Sequence, residues 1–231
     1  MAELTGTAAG VRKRATQLLV SGAVIAVAMF APAGRIDWWQ AWAFLGIFFG
    51  TIAFNAVFIL RRDPELIAER AETKKNTKGW DKTMTAAITV MTLLALVVAG
   101  LDVRFGWSSV PLAVSVSGLV LVVVGNALVS WGMAANRFFA RTVRIQQDRG
   151  QTVCSAGPYR FVRHPGYAGM IVYGLAMAPG LGSWWALVPA VLAAVAFVVR
   201  TLLEDHMLQT ELPGYSDYTT RVRYRLVPGI W

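Results

Sequence analysis

The chain has 231 residues, 56% of them apolar and 15% charged, and its 22 Lys and Arg outnumber 13 Asp and Glu to give a formal charge of +9. Uncharged runs recur that a soluble core does not need, whereas a bilayer core of roughly 30 Å takes about 20 apolar residues per helix. The fold class read from this is all-α, a polytopic membrane helix bundle. A single cysteine, Cys154, excludes an internal disulfide and any multi-cysteine metal site, and with only His164 and His206 as imidazoles no metal centre is expected. The basic residues lie between apolar runs with no nucleic-acid-binding motif around them. They fit membrane lipids as partners, not nucleic acid.

The first apolar run, Gln17 to Ala31, follows Arg12-Lys13-Arg14 and precedes Ala31-Pro32-Ala33. It reads as a retained helix, although a charged start, a short apolar stretch and small residues also fit a signal peptide. The second run, Trp38 to Leu60, opens on Trp38, Trp39 and Trp42, where an interfacial aromatic belt belongs. Residues 61 to 82, RRDPELIAERAETKKNTKGWDK, hold seven Lys or Arg. The third run is Thr83 to Leu101, and its exit loop, Asp102 to Ser109, carries only Arg104. The fourth, Val110 to Ala135, leads into Asn136 to Pro165 with six arginines. Basic loops on one side and nearly uncharged loops on the other place both termini in the cytoplasm, at the cell membrane.

Gly166 to Pro179 is only 14 residues, short for a span. Gly180-Leu181-Gly182 is a turn signal, and Ser183 to Leu203 is long enough to cross. These read as a helical hairpin with a short or tilted first arm, followed by a polar tail, Glu204 to Trp231, that returns to the cytoplasmic face. Five or six membrane helices are expected, forming one integrated domain. Residues 1–135 supply the N-terminal membrane helices, and residues 136–231 the chemistry.

The polar residues concentrate in two blocks, 141–167 and 204–228, and a hairpin returns both to the same side. The first block contains GPYRFVRHPGYAG, residues 157–169. Pro158 and Pro165 restrict the backbone there, while Gly157, Gly166 and Gly169 permit tight turns or close approach. A helix start at Pro165 also offers backbone N–H groups to an anion.

This motif, together with Glu204-Asp205, Leu208, Tyr215, Tyr218, Arg225 and Pro228, resembles the closing signature of the isoprenylcysteine carboxyl methyltransferases and of related phospholipid methyltransferases. RRDPELIAER at 61–70 resembles bacterial members. The resemblance implies S-adenosylmethionine as cofactor and a lipophilic or lipidated acceptor, most simply a carboxylate, with a thiol or an amine left open. Glu204 is then expected to accept from the cofactor ammonium, with His164 facing its carboxylate. Tyr159 and Tyr167 offer aromatic faces and hydroxyls, and Pro165, Gly169 and Asp205 belong to the same cofactor motif. Asp205 departs from the family's second glutamate, which leaves its role open. Arg225, with Arg223 in reserve, is expected to hold an acceptor carboxylate bidentately. A helical tail ended by Pro228 puts Tyr218, Arg221 and Arg225 on one face.

Blander readings stand beside these. His164 could cap a helix, Glu204 could pair with Arg200 four residues earlier, Arg221 and Arg223 could contact headgroups, Tyr215 and Tyr218 could be interfacial anchors, and Cys154 could be packing. The rival activity is a sterol-type reductase using NADPH, which shares the R-H-P-x-Y-x-G turn. Such reductases commonly have an acidic residue where Met170 stands here. Oligomeric state is not legible.

Overall fold

Each apolar run is a helix in the computed structural model, which describes residues 2–59, 61, 63–71 and 76–231. Arg62 and the lysines at 74 and 75 of the first basic segment lie outside the described residues. The helices are α1 (Ala2–Ala33), α2 (Trp39–Phe58), α3 (Pro64–Glu69), α4 (Gly79–Phe105), α5 (Leu112–Ala135), α6 (Pro165–Gly180), α7 (Leu187–Glu211) and α8 (Tyr215–Arg221). Their ends follow local rules. Asp63 caps α3 by accepting from Leu66 N at 2.9 Å, with Pro64 at the first helical position. Gly106 ends α4 in a left-handed conformation, φ +66°, open to glycine at no steric cost.

Five helices, α1, α2, α4, α5 and α7, are long and apolar enough to cross a membrane. Taken alone, five crossings would leave the two termini at opposite ends. The short arm α6 resolves the count. Its 16 residues rise about 24 Å and run antiparallel to α5 at backbone contact. A Cβ on Gly118 would sit 2.5 Å from Gly180 N, and one on Gly125 would sit 2.7 Å from Gly169 O. Facing glycines let the two backbones approach in a way that larger side chains forbid.

The C-terminal end of α6 reaches the two nearly uncharged loops. Trp38 Nε1 donates to Leu181 O at 3.2 Å, and Ser183 Oγ donates to Asp102 Oδ2 at 2.5 Å. Asp102, 1% exposed, also accepts from the Ser108 backbone and hydroxyl, at 2.7 and 2.6 Å. One carboxylate thus ties together the exit of α4, the following loop and the α6–α7 turn. Thus α6 runs from the basic end to the opposite loops, and both termini lie at the end that carries the basic loops.

At that basic end, Lys78 bridges to Glu211 at 2.7 Å, and Gln17 Nε2 donates to Ala71 O at 3.0 Å. Arg144 clamps α3 through Glu69 (2.7 Å) and is shared with Asp148 (2.6 Å).

Three expectations are corrected here. Trp38 is not a belt residue: it is 4% exposed and bonded to Leu181, whereas Trp39 and Trp42 are 45% and 55% exposed. The tail does not begin at Glu204, because α7 continues to Glu211 and keeps Glu204 and Asp205 helical. Finally, α8 stops at Arg221, and Val222 is extended, so Arg225 does not share a helical face with Tyr218 and Arg221.

A test of orientation follows from the expectation, by the positive-inside rule, that the basic end faces the cytoplasm. In a Cys154→Ser background, Asn76→Cys should react with an impermeant maleimide only from the cytoplasmic side, and Ser109→Cys only from the other. Labelling of both from one side would contradict this path.

Candidate functional site

Two segments meet at the basic end. In the first, Gly157 turns at φ +55°, a 3₁₀ turn covers Gly157–Arg160, and Pro165 opens α6. The second is the last third of α7. Adjacent helical residues point about 100° apart, so Glu204 and Asp205 serve different surroundings.

Asp205 is buried at 1% exposure and gathers an ionic cluster. Arg163 donates to it with Nε at 2.8 Å and Nη2 at 3.0 Å, a bidentate pair. Arg225 Nε donates at 2.9 Å, Tyr215 OH at 3.1 Å and Gln209 Nε2 at 3.0 Å, with His164 Nε2 at 3.3 Å. Arg163 also donates through Nη1 to Val222 O (2.8 Å) and Arg223 O (2.7 Å). The backbone N–H groups of Arg163 and His164 donate to Tyr224 O and Arg225 O, each at 2.9 Å. The tail is therefore stitched onto the corner before α6. Those two N–H groups, which precede the start of α6, are taken by tail carbonyls.

Glu204 faces the other way. It accepts a hydrogen bond from Tyr167 OH, whose ring stacks on His164 at 5.8 Å and 6°. Arg200 does not form the helical pair with Glu204. Its Nε donates to Asp81 on α4 at 2.7 Å, its Nη2 to Arg141 O at 2.8 Å, and its guanidinium lies 5.1 Å from the Tyr167 ring centre. Asp81 is fully buried and captures that guanidinium. Glu204 is left to the cavity.

The cavity, about 670 Å³, opens between these segments. Of the predicted site residues, Tyr159, His164, Tyr167, Glu204 and Tyr218 line it. Asn136, Gln151 and Thr152, which sequence reasoning passed over, join them from the segment before the motif, together with Cys154, which it read as packing. Pro165, Gly169, Asp205, Arg223 and Arg225 are not in its wall. Gly169 packs on α5, where a Cβ would meet Gly125 O at 2.7 Å. Arg223 is exposed, and Arg225 lies 5.2 Å from the Trp231 ring centre while bonded to Asp205. Tyr215 and Tyr218 are not interfacial anchors. They are 4% and 1% exposed, and Tyr218 OH donates to Tyr159 O at 2.6 Å.

Burial pushes the hydroxyls of Tyr159 and Tyr215 above the ordinary tyrosine range, with the Asp205 charge adding to the effect at Tyr215. Both remain donors throughout the neutral range. Burial likewise raises the Cys154 thiol, whose Sγ lies 3.3 Å from Ala135 O as a donor. That is a packing cysteine, not a nucleophile. The wall thus combines one carboxylate, an imidazole, phenolic rings and the Arg163 guanidinium, which is itself bound to Asp205. It suits a ligand with a cationic group and a flat, polar ring system.

Residues 118–210 match the model of the Isoprenylcysteine carboxyl methyltransferase (ICMT) family. A probable protein-S-isoprenylcysteine O-methyltransferase of Oryza sativa subsp. indica is 34% identical over 61 residues, covering 26% of this chain and 32% of that protein. Its counterpart in Oryza sativa subsp. japonica gives the same figures. The matched part of the chain thus spans about a third of the length of these relatives. The match takes in the 157–169 motif and the Glu204-Asp205 pair.

Proposed function

From the match of residues 118–210 to the isoprenylcysteine carboxyl methyltransferase family, we propose that the chain is an S-adenosylmethionine-dependent methyltransferase of the cytoplasmic membrane, acting on a lipophilic acceptor. A carboxylate acceptor, as in the isoprenylcysteine of the relatives' names, is the simplest form. The observation that carries the reading is Glu204. It is a carboxylate released from its helical arginine and facing a cavity shared with Tyr159, His164 and Tyr167.

The wall fits the cofactor. Glu204 is placed to accept from an ammonium, and the parallel Tyr167 and His164 rings offer aromatic faces to a sulfonium or an adenine. When bound, S-adenosylmethionine supplies a sulfonium methyl group for in-line displacement, so that sulfonium and carboxylate charges cancel and no proton moves. The protein's part is therefore placement and exclusion of water. Asp205, Arg163 and Arg225 act by holding the tail and His164 in place. Arg225 serves there as a tie between tail and α7, not as a free clamp for the acceptor. The family match lends no support to the reductase reading.

Binding tests this directly. S-adenosylhomocysteine should raise the melting temperature of the detergent-purified protein, since a ligand that binds only the folded state stabilises it. NADPH should not. Glu204→Gln should weaken S-adenosylhomocysteine by about 1.5–3 kcal/mol, the range for a hydrogen bond to a charged group, with little change in melting of the free protein. Stabilisation by NADPH alone would overturn the proposal, and unchanged affinity in Glu204→Gln would remove Glu204 from the cofactor site.

A further inference from the structure

The corner before α6 lies at the level of the membrane surface. It sits on the last turn of α5, where a Cβ on Gly157 would meet Ala135 Cβ at 2.8 Å and Trp131 Nε1 at 3.2 Å. Trp131 is half exposed near the basic end of that membrane-crossing helix, the usual level for an interfacial tryptophan. Phe161 belongs to the corner, and its ring centre lies 6.5 Å from that of Trp131. It is 60% exposed, a large apolar side chain held out beside the bilayer-facing indole.

The tail stitched to this corner shows the same pattern. Its end closes into a turn in which Leu226 N and Val227 N both donate to Trp231 O, at 3.0 and 3.1 Å, with Gly229 at φ +80°. Leu226 is buried, whereas Val227 and Ile230 are 45% and 81% exposed. Apolar tips displayed on a hydrogen-bonded turn mark a contact surface. The charges beside them name its partner. Arg160, Arg221 and Arg223 are exposed, and among the described residues none of them is paired with a carboxylate. Arg163 and Arg225, from the same two segments, are instead committed to Asp205. Unpaired guanidiniums around exposed apolar tips match a phospholipid headgroup layer, where phosphates take the cations and acyl chains take the tips.

We propose that the corner and the tail form a docking face for the anionic phospholipid surface of the surrounding membrane. Phe161, Val227 and Ile230 enter the headgroup layer, and Arg160, Arg221 and Arg223 pair with lipid phosphates. The assignment stands on the path of the helices and goes beyond the methyltransferase reading without depending on it. It also bears on the candidate site. Arg225 lies over the Trp231 ring while bonded to Asp205, so a tail held by lipid is held against α7 as well.

Hydrogen exchange of the backbone amides of residues 222–231, read by mass spectrometry on the full-length protein in nanodiscs, tests the docking. Replacing half of the dioleoylphosphatidylcholine by dioleoylphosphatidylglycerol should slow exchange roughly fivefold, because each arginine near an anionic surface favours the docked state over local opening. High salt should remove most of that slowing. Arg221→Gln/Arg223→Gln should lose most of it too, and Ile230→Asn should exchange faster in both membranes. Equal exchange of the unaltered protein in the two membranes would overturn the proposal. Undiminished slowing in the double arginine variant, or parent-like exchange in Ile230→Asn, would do the same. Slowing by soluble glycerol phosphate in the phosphatidylcholine membrane would also overturn it, in favour of a site for a small anion.

Discussion

Asp205→Ala should destabilise the protein by about 3–5 kcal/mol, the cost of stranding the partner of a buried ion pair, and should abolish S-adenosylhomocysteine binding. The size follows from what the carboxylate holds. Arg163, with its side chain 4% exposed, would keep its charge and lose its anionic partner. Arg225, with its side chain 29% exposed, would lose its tie but could turn to water. Tyr215, buried at 4%, would lose its acceptor. Because Arg163 also holds Val222 O and Arg223 O, the tail should come away from α6. Trypsin should then cut readily after Arg221, Arg223 or Arg225 in the variant and slowly in the parent. Asp205→Asn keeps the shape and part of the hydrogen bonding, so its loss should be intermediate. Glu204→Gln is the contrast: weaker ligand, nearly unchanged melting. If Asp205→Ala melts like the parent and its tail resists trypsin, the cluster does not hold the tail, and another contact must.

How far the sequence could be read depends on which physical signal each residue carries. Span number was legible from apolar length except at α6, which falls short of the usual length yet reaches the opposite loops because glycines 118, 125, 169 and 180 bring its backbone against α5. Glycines in one helix do not announce which helix they face. Trp38 has the composition of a belt residue, and only the fold shows its indole bonded to Leu181. In the site, Tyr159, His164, Tyr167 and Glu204 were legible because motif and spacing put them together. Arg163 stood in the same motif unremarked, since a charge is easily read as solvated unless its acid is known, and that acid lies 42 residues away. The tail was misread as helical through Arg225 because tyrosines and arginines suit a helical face as well as an extended segment. What decides between them is the line of carbonyls, 222 to 225, that the corner before α6 takes as acceptors.

The second large effect is expected at the far side of the site, where Asp81 meets Arg200. Asp81 sits in the first turn of α4, where an anion is favoured by the helix dipole. It accepts from Arg200 Nε at 2.7 Å and from Val143 N at 2.9 Å. Residue exposures of 0% and 6% put the whole pair out of water. Removing one partner from such a pair costs about 3–5 kcal/mol, so Asp81→Ala should lower stability by that amount. It should also loosen the 141–143 segment, which loses the bond at Val143. The pair has a second consequence for the site. By drawing Arg200 toward α4 it keeps that guanidinium off Glu204 and against the Tyr167 ring, at 5.1 Å. Freed from Asp81, Arg200 lies one helical turn from Glu204 and can pair with it, neutralising the carboxylate on which cofactor binding is proposed to depend. Asp81→Ala should therefore lose S-adenosylhomocysteine affinity as well as stability. The double variant Asp81→Leu/Arg200→Met separates the two effects: apolar replacement of a buried pair is commonly close to neutral, so most of the stability should return. Glu204 then has no arginine to capture it, so affinity should recover too, apart from what the Tyr167 ring loses without its guanidinium. Recovered stability with affinity as low as in Asp81→Ala would show that Arg200 itself contributes to the site and that its capture of Glu204 is not the cause.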